Sequence, residues 1–75
     1  MTLTFPTAPT AGEVFVEEGD TEWTVVAVGP KVDKVKVGDI VVPTGSFRSV
    51  DYERDGVALH DGTVVATTER FVRKA

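Results

Sequence analysis

Cysteine is absent from this chain of 75 residues. That absence removes disulfide staples, thiolate metal ligands and cysteine nucleophiles together, and it fits a reducing, cytoplasmic setting. Histidine occurs once, as His60, and one imidazole cannot build the clusters that zinc sites require. His60 lies beside Asp61 at an expected turn, and no serine is spaced as a nucleophile for it, so it reads as a solvated turn residue. Long apolar runs are missing, and the opening MTLTFPTAPTAG has no basic flank, so neither a membrane span nor a signal peptide is expected. Neither G-x-G-x-x-G nor G-x-x-x-x-G-K-[ST] occurs, so no phosphate cradle is expected.

Positive charge is absent from the first 30 residues, which hold Glu13, Glu17, Glu18, Asp20 and Glu22 for a net −5. Residues 31–75 hold eight Lys and Arg against seven Asp and Glu, a net +1. A total of −4 without a concentrated basic surface disfavours general phosphate-backbone binding. The asymmetry suits packing between subunits, although charged, solvated faces are what any small protein needs for solubility.

What the chain has in abundance is β-branched side chains: 15 valines, ten threonines and one isoleucine. Such side chains suit a pleated, half-buried surface better than a helix, so the expected class is all-β. A chain of this length folds as one domain and buries only ~60% of its unfolded surface. Residues 1–12, with Pro6, Pro9 and Gly12 among threonines, read as a flexible N-terminal arm, and residues 13–75 as a single β domain.

Within that domain EVFVEE and residues 22–29 read as a tight hairpin turning at Gly19-Asp20-Thr21. Gly29-Pro30 ends its second strand. In VKVGDIVV, Val35 and Val37 are expected to point inward, Lys34 and Lys36 outward, with a turn at Gly38-Asp39 before an aliphatic strand over residues 40–42. Asp55-Gly56 marks a second hairpin and Asp61-Gly62 a further turn, and RFVRKA closes the chain as a last strand. Six or seven short antiparallel strands with no helical period predict a small, partly closed β-barrel.

No catalytic constellation emerges, and no cofactor or metal is expected. Asp51, Glu53 and Asp55 resemble the start of a calcium loop, but the twelfth position is Gly62 rather than a carboxylate and strands flank it. Phe47, Arg48, Tyr52 and Arg54 come closest to a stacking surface for nucleic acid, with cross-strand packing the simpler reading. Phe15 and Trp23 are expected to face each other across the first hairpin, in the core or at a seam.

The run TVVAVGPKVDKVKVGDIVVPTG resembles the co-chaperonin family typified by GroES, whose members carry an apolar strand ending in A-V-G, here Ala27, Val28 and Gly29. A variable insert and V-G-D before another apolar strand follow in that family, here Val37, Gly38 and Asp39. PTAGEVFVEE is similar to the family's opening strand and TVVATTERFVRKA to its last strand pair. The resemblance implies a GroES-like barrel that self-associates by pairing first and last strands. Carried over by position, Glu13, Phe15, Glu17 and Glu18 would meet Arg70, Phe71, Arg73 and Lys74 of a neighbouring copy, an acidic strand against a basic one. Two departures accompany it: only Gly19, Asp20 and Thr21 stand where the family's mobile docking loop belongs, and the roof hairpin shrinks to about PKVDK.

The expected function is therefore that of a non-enzymatic, co-chaperonin-related assembly module acting through protein contacts, without the means of a full chaperonin lid. Its partners would be further copies of itself or a larger protein assembly, with no membrane and with nucleic acid disfavoured. One alternative is a structural protein of a virus particle, decorating or completing a capsid formed in the cytoplasm. A second is a KOW-type nucleic-acid-binding barrel, where V-G-D before an apolar strand also recurs.

Overall fold

The computed structural model describes residues 2–75, so that Met1, the first residue of the expected arm, lies outside it. Among the described residues nine strands form: β1 (Leu3–Thr4), β2 (Glu13–Glu18), β3 (Trp23–Val28), β4 (Ile40–Pro43), β5 (Arg48–Ser49), β6 (Tyr52–Arg54), β7 (Val57–Leu59), β8 (Val64–Thr68) and β9 (Val72–Lys74). A single 3-10 turn, Glu69–Phe71, links β8 to β9. Among the described residues there is no α-helix, and no helix is long and apolar enough to cross a membrane.

All pairings are antiparallel, in a three-stranded sheet of order β1-β6-β7 and a six-stranded sheet of order β5-β8-β2-β3-β4-β9. The expected class is therefore correct, but the strands form two sheets and neither one closes on itself. Strands β5 and β9 stand at opposite ends of the larger sheet's hydrogen-bonding order and do not pair.

The larger sheet has apolar side chains on both faces, which is why three consecutive residues of β2, Val14, Phe15 and Val16, are all buried. Val14 and Val16 join Val25, Val35, Val41 and Val65 in one cluster, while Phe15 joins Val50, Tyr52, Val64 and Ala66 in another. Leu3 and Leu59 of the smaller sheet pack on the second cluster, so that sheet lies over one face. The loop residues Val32 and Val35, with Val72 of β9, contribute to the first. Full burial of one such side chain is worth about 1.5–3 kcal/mol, so the two faces of β2 carry much of the fold's stability.

A register shift between Phe15 and Val16 tunes this arrangement: Phe15 stands opposite Ala27, but Val16 stands opposite Val25. Val26 is thus an extra residue in β3, a β-bulge that places Val26 and Ala27 together on the second cluster while Val25 and Val28 face the first. Phe15 and Trp23 consequently do not face each other. Phe15 meets Phe5 edge-on, with centroids 5.1 Å apart, and Trp23 meets Phe47 at 5.6 Å.

The expected arm contains structure. β1 pairs with β6, the Asp55 amide donates to the Thr2 carbonyl (2.9 Å), and Phe5 packs on Phe15. Further along, Gly29 lets the chain pass: a Cβ there would lie 1.9 Å from the Thr10 carbonyl oxygen. The Gly29 amide donates to Glu13 (2.8 Å) and the Glu13 amide to Thr10 (3.0 Å), which docks this segment beside the end of β3.

Residues 34–37 are not a strand: Lys34 and Lys36 are exposed and Val35 buried as expected, but Val37 departs from the pattern. Val35 is buried, whereas Val37 is 60% exposed. Residues 36–39 form a tight turn in which the Asp39 amide donates to the Lys36 carbonyl (3.0 Å). The Asp39 carboxylate accepts the Lys36 amide (3.0 Å). Gly38 has φ +98°, a left-handed conformation open to glycine at that position of the turn. Val37 therefore occupies a turn corner and points to water. The hairpin at Asp55-Gly56, with φ of 53° and 84°, has the left-handed pair of a type I′ turn, as its sequence predicts. Asp61-Gly62 also turns, but it carries the chain from one sheet to the other rather than joining paired strands.

Candidate interaction surface

The residues of the expected first-to-last strand seam have different fates. β2 is paired with β3 on one side and β8 on the other, so it has no free edge to offer a neighbouring chain. The Glu13 carboxylate accepts from the Arg48 guanidinium (2.9 Å) and the Thr10 amide (3.1 Å). Phe15 is 2% exposed. Glu17 is bonded to Arg54 of β6, an ion pair that ties the two sheets and raises the Arg54 pKa. Glu18 is exposed at the hairpin end of β2. Both ladders of β2 are thus used within the chain, so Glu13, Glu17 and Glu18 could meet a neighbour only through their side chains.

The basic half of that seam is accessible. β9 ends the sheet order, with Arg73 and Lys74 exposed and β4 on one side only. The Thr44 amide donates to the Phe71 carbonyl (2.6 Å) and the Ala75 amide to Ile40 (3.0 Å), so residues 71, 73 and 75 turn their backbone groups toward β4. Residues 72 and 74 then direct theirs outward, since antiparallel ladders alternate. The Val72 amide is taken by the Glu69 carbonyl, and the Lys74 ammonium lies 3.6 Å from the Asp39 carboxylate.

A groove of about 310 Å³ brings together two seam residues and two from the expected stacking surface: Glu13, Phe71, Phe47 and Arg48, with Thr67 and Thr68 among its other lining residues. Phe47 is 51% exposed, and the Arg70 guanidinium sits 5.1 Å above the Phe71 ring. Nothing local in the sequence announces this groove. It exists because β5 is two residues long and stops short of the end of β8.

The stacking surface itself does not form. Tyr52 is 2% exposed, its hydroxyl donates to Asp61 (2.8 Å), and Arg54 is engaged with Glu17. Asp61 also accepts the Thr63 amide (3.0 Å), and that amide bond, followed by the Tyr52 hydroxyl, lowers its pKa. His60 lies as expected at a chain reversal, but its partner is Asp51, 2.5 Å away across the base of the β6–β7 hairpin. Both line a cavity of about 250 Å³ that reaches Phe15 and Arg48. Among the described residues, no group of three or more His, Asp or Glu converges as a metal site.

The motif residues shared with the co-chaperonin pattern have local structural roles. Ala27 sits opposite Phe15 across the bulge, Val28 and Gly29 close β3 against the Thr10 segment, and Val37, Gly38 and Asp39 make the turn into β4. In comparisons with known proteins, no family model, no curated protein and no solved structure matches this chain.

Proposed function

We propose that this chain is a non-enzymatic assembly module, co-chaperonin-like in the order of its motifs, that works by protein–protein contact through an open sheet edge. The observation that carries the reading is the outer edge of β9, where Lys74 presents an unpaired backbone amide and carbonyl beside the exposed Arg73 side chain. A basic edge of this kind accepts a strand whose side chains carry carboxylates. The bases also discourage two β9 edges from pairing with each other, because like charges directly opposite destabilise a ladder. The partner is then a different surface, either of another copy or of a larger assembly.

Native mass spectrometry and sedimentation velocity at high protein concentration test self-association, and a strict monomer would remove that form of the reading. Lys74→Pro gives the finer test. It deletes an outward amide without touching the ladder to β4, since the bonded positions are 71, 73 and 75. Lys74→Ala controls for the side chain. Proline is expected to reduce association and alanine to leave most of it.

A further inference from the structure

We infer that the groove beside β8 is a peptide-binding cleft that takes an extended, acidic and apolar segment of another protein as an added strand. The inference shares with the preceding section only the premise of protein contact, and it concerns a different edge.

The backbone supplies the first argument. The Glu18 amide donates to Thr63 and the Glu69 amide to Gly12, each at 2.8 Å, so the odd-numbered residues of this stretch face β2. Residues 64, 66 and 68 therefore face the other side. There Val64 accepts the Val50 amide and Ala66 stands opposite Arg48, but β5 pairs no further. Thr68 remains extended, with φ −86° and ψ 142°, and its amide opens onto the groove, while its carbonyl starts the 3-10 turn that follows. An incoming strand would continue the sheet where β5 ends, its carbonyl accepting the Thr68 amide.

The side chains supply the second. Phe47 and Phe71 wall the groove, and the partly exposed Phe47 is backed by Trp23, so an apolar side chain between the rings would be held on two sides. Arg48 and Glu13 line the groove as an ion pair, Glu13 also accepting the Thr10 amide, and the Arg70 guanidinium sits over the ring of Phe71, which forms one wall. With Arg48 and Glu13 paired to each other, the Arg70 guanidinium leaves a net positive charge beside the groove, which favours an acidic partner. Aromatic walls with arginines also suit single-stranded nucleic acid. The open backbone amide favours the peptide, whose main chain supplies the carbonyl it needs.

The test titrates the full chain with the capped hexapeptide EVFVEE, its basic counterpart KVFVKK and a short oligothymidylate, followed by amide NMR and Trp23 fluorescence. The acidic peptide is expected to shift the amides of Phe47, Thr67, Thr68 and Phe71 and to slow exchange at Thr68, while the basic peptide binds at least about tenfold more weakly. Thr68→Pro removes an amide donor that faces the groove, at a φ close to the proline range, and Phe47→Ala removes a wall. Each is expected to weaken the acidic peptide about tenfold or more with the remaining amide spectrum retained. Perturbation confined to β9, no perturbation at millimolar peptide, or preferential oligothymidylate binding would each overturn the inference. So would concentration-dependent shifts at the same amides without peptide, which would make a second copy the occupant. A peptide-binding strict monomer would sustain the groove and sink self-assembly, and an oligomer whose groove ignores peptide would do the reverse.

Discussion

Glu69 holds a loop that the sequence alone leaves unanchored. One of its carboxylate oxygens accepts both the Lys34 amide (2.8 Å) and the Asp33 amide (2.9 Å), fastening the segment whose Val32 and Val35 contribute to the first cluster. The Lys34 amide is the largest influence on this carboxyl and, with the Asp33 amide, outweighs the opposing desolvation, so its pKa lies below the ordinary carboxylate range. A folded-state pKa below the unfolded one stabilises the fold above the unfolded value, near ~4.3 for glutamate, and that stabilisation is lost as pH falls through the lower folded value. Amide exchange at Asp33 and Lys34 should therefore accelerate on acidification through that range, after correction for intrinsic exchange. Glu69→Gln keeps a carbonyl acceptor but cannot titrate, so it should flatten this pH dependence, and Glu69→Ala should leave both amides fast at every pH. Gly29 is a second residue whose role is steric. Gly29→Ala would drive a Cβ into the Thr10 carbonyl oxygen, so it should cost about 1–3 kcal/mol as overpacking does, read as a lower urea midpoint and shifted amides at residues 10–13.

At the scale of elements, Phe15 joins the two sheets. It extends from β2 toward Phe5, and the same cluster contains Tyr52 of β6 and Leu59 of β7. Phe15→Ala should cost about 3–5 kcal/mol and release the segment carrying β1, seen as rapid exchange at the Asp55 amide that donates to Thr2. Phe5→Ala should release the same segment at smaller cost, because Phe5 is only partly buried. The hairpins at Gly19-Asp20-Thr21 and Asp55-Gly56 were legible because turn chemistry is local. Burial of Val35 was legible, and so was a turn at Gly38-Asp39, but exposure of Val37 was not, because alternation predicts a strand wherever apolar residues skip one position, whereas the bonds between Lys36 and Asp39 start the turn two residues earlier. The pairing of residues 3–4 was hidden for a related reason. Prolines and threonines gave that stretch no strand pattern, and its order comes from Phe15 and β6, more than ten and about fifty residues along the chain. The β8 groove lay further out of reach, since it depends on where β5 stops pairing rather than on any residue's identity.

For the whole molecule, the question is whether two clusters on opposite faces of one sheet melt separately. Val14, Val16 and Val65 belong to the first cluster, while Phe15, Val64 and Ala66 belong to the second, so β2 and β8 supply neighbouring residues to both. One cluster cannot be lost without unpairing strands that form the floor of the other, and the Arg54–Glu17 ion pair adds a tie between the sheets. A chain of this size also has too little core for either half to persist alone. Unfolding is therefore expected to be a single transition. Trp23, packed on the first cluster, reports that side by fluorescence, and the amide of Leu59, on the second, reports the other by NMR. The two probes should give coincident urea midpoints and slopes, and Val41→Ala, in the first cluster only, should lower both midpoints equally. A Leu59 transition that stays in place while the Trp23 transition moves would show instead that the smaller sheet and its side of β2 and β8 form an independent unit.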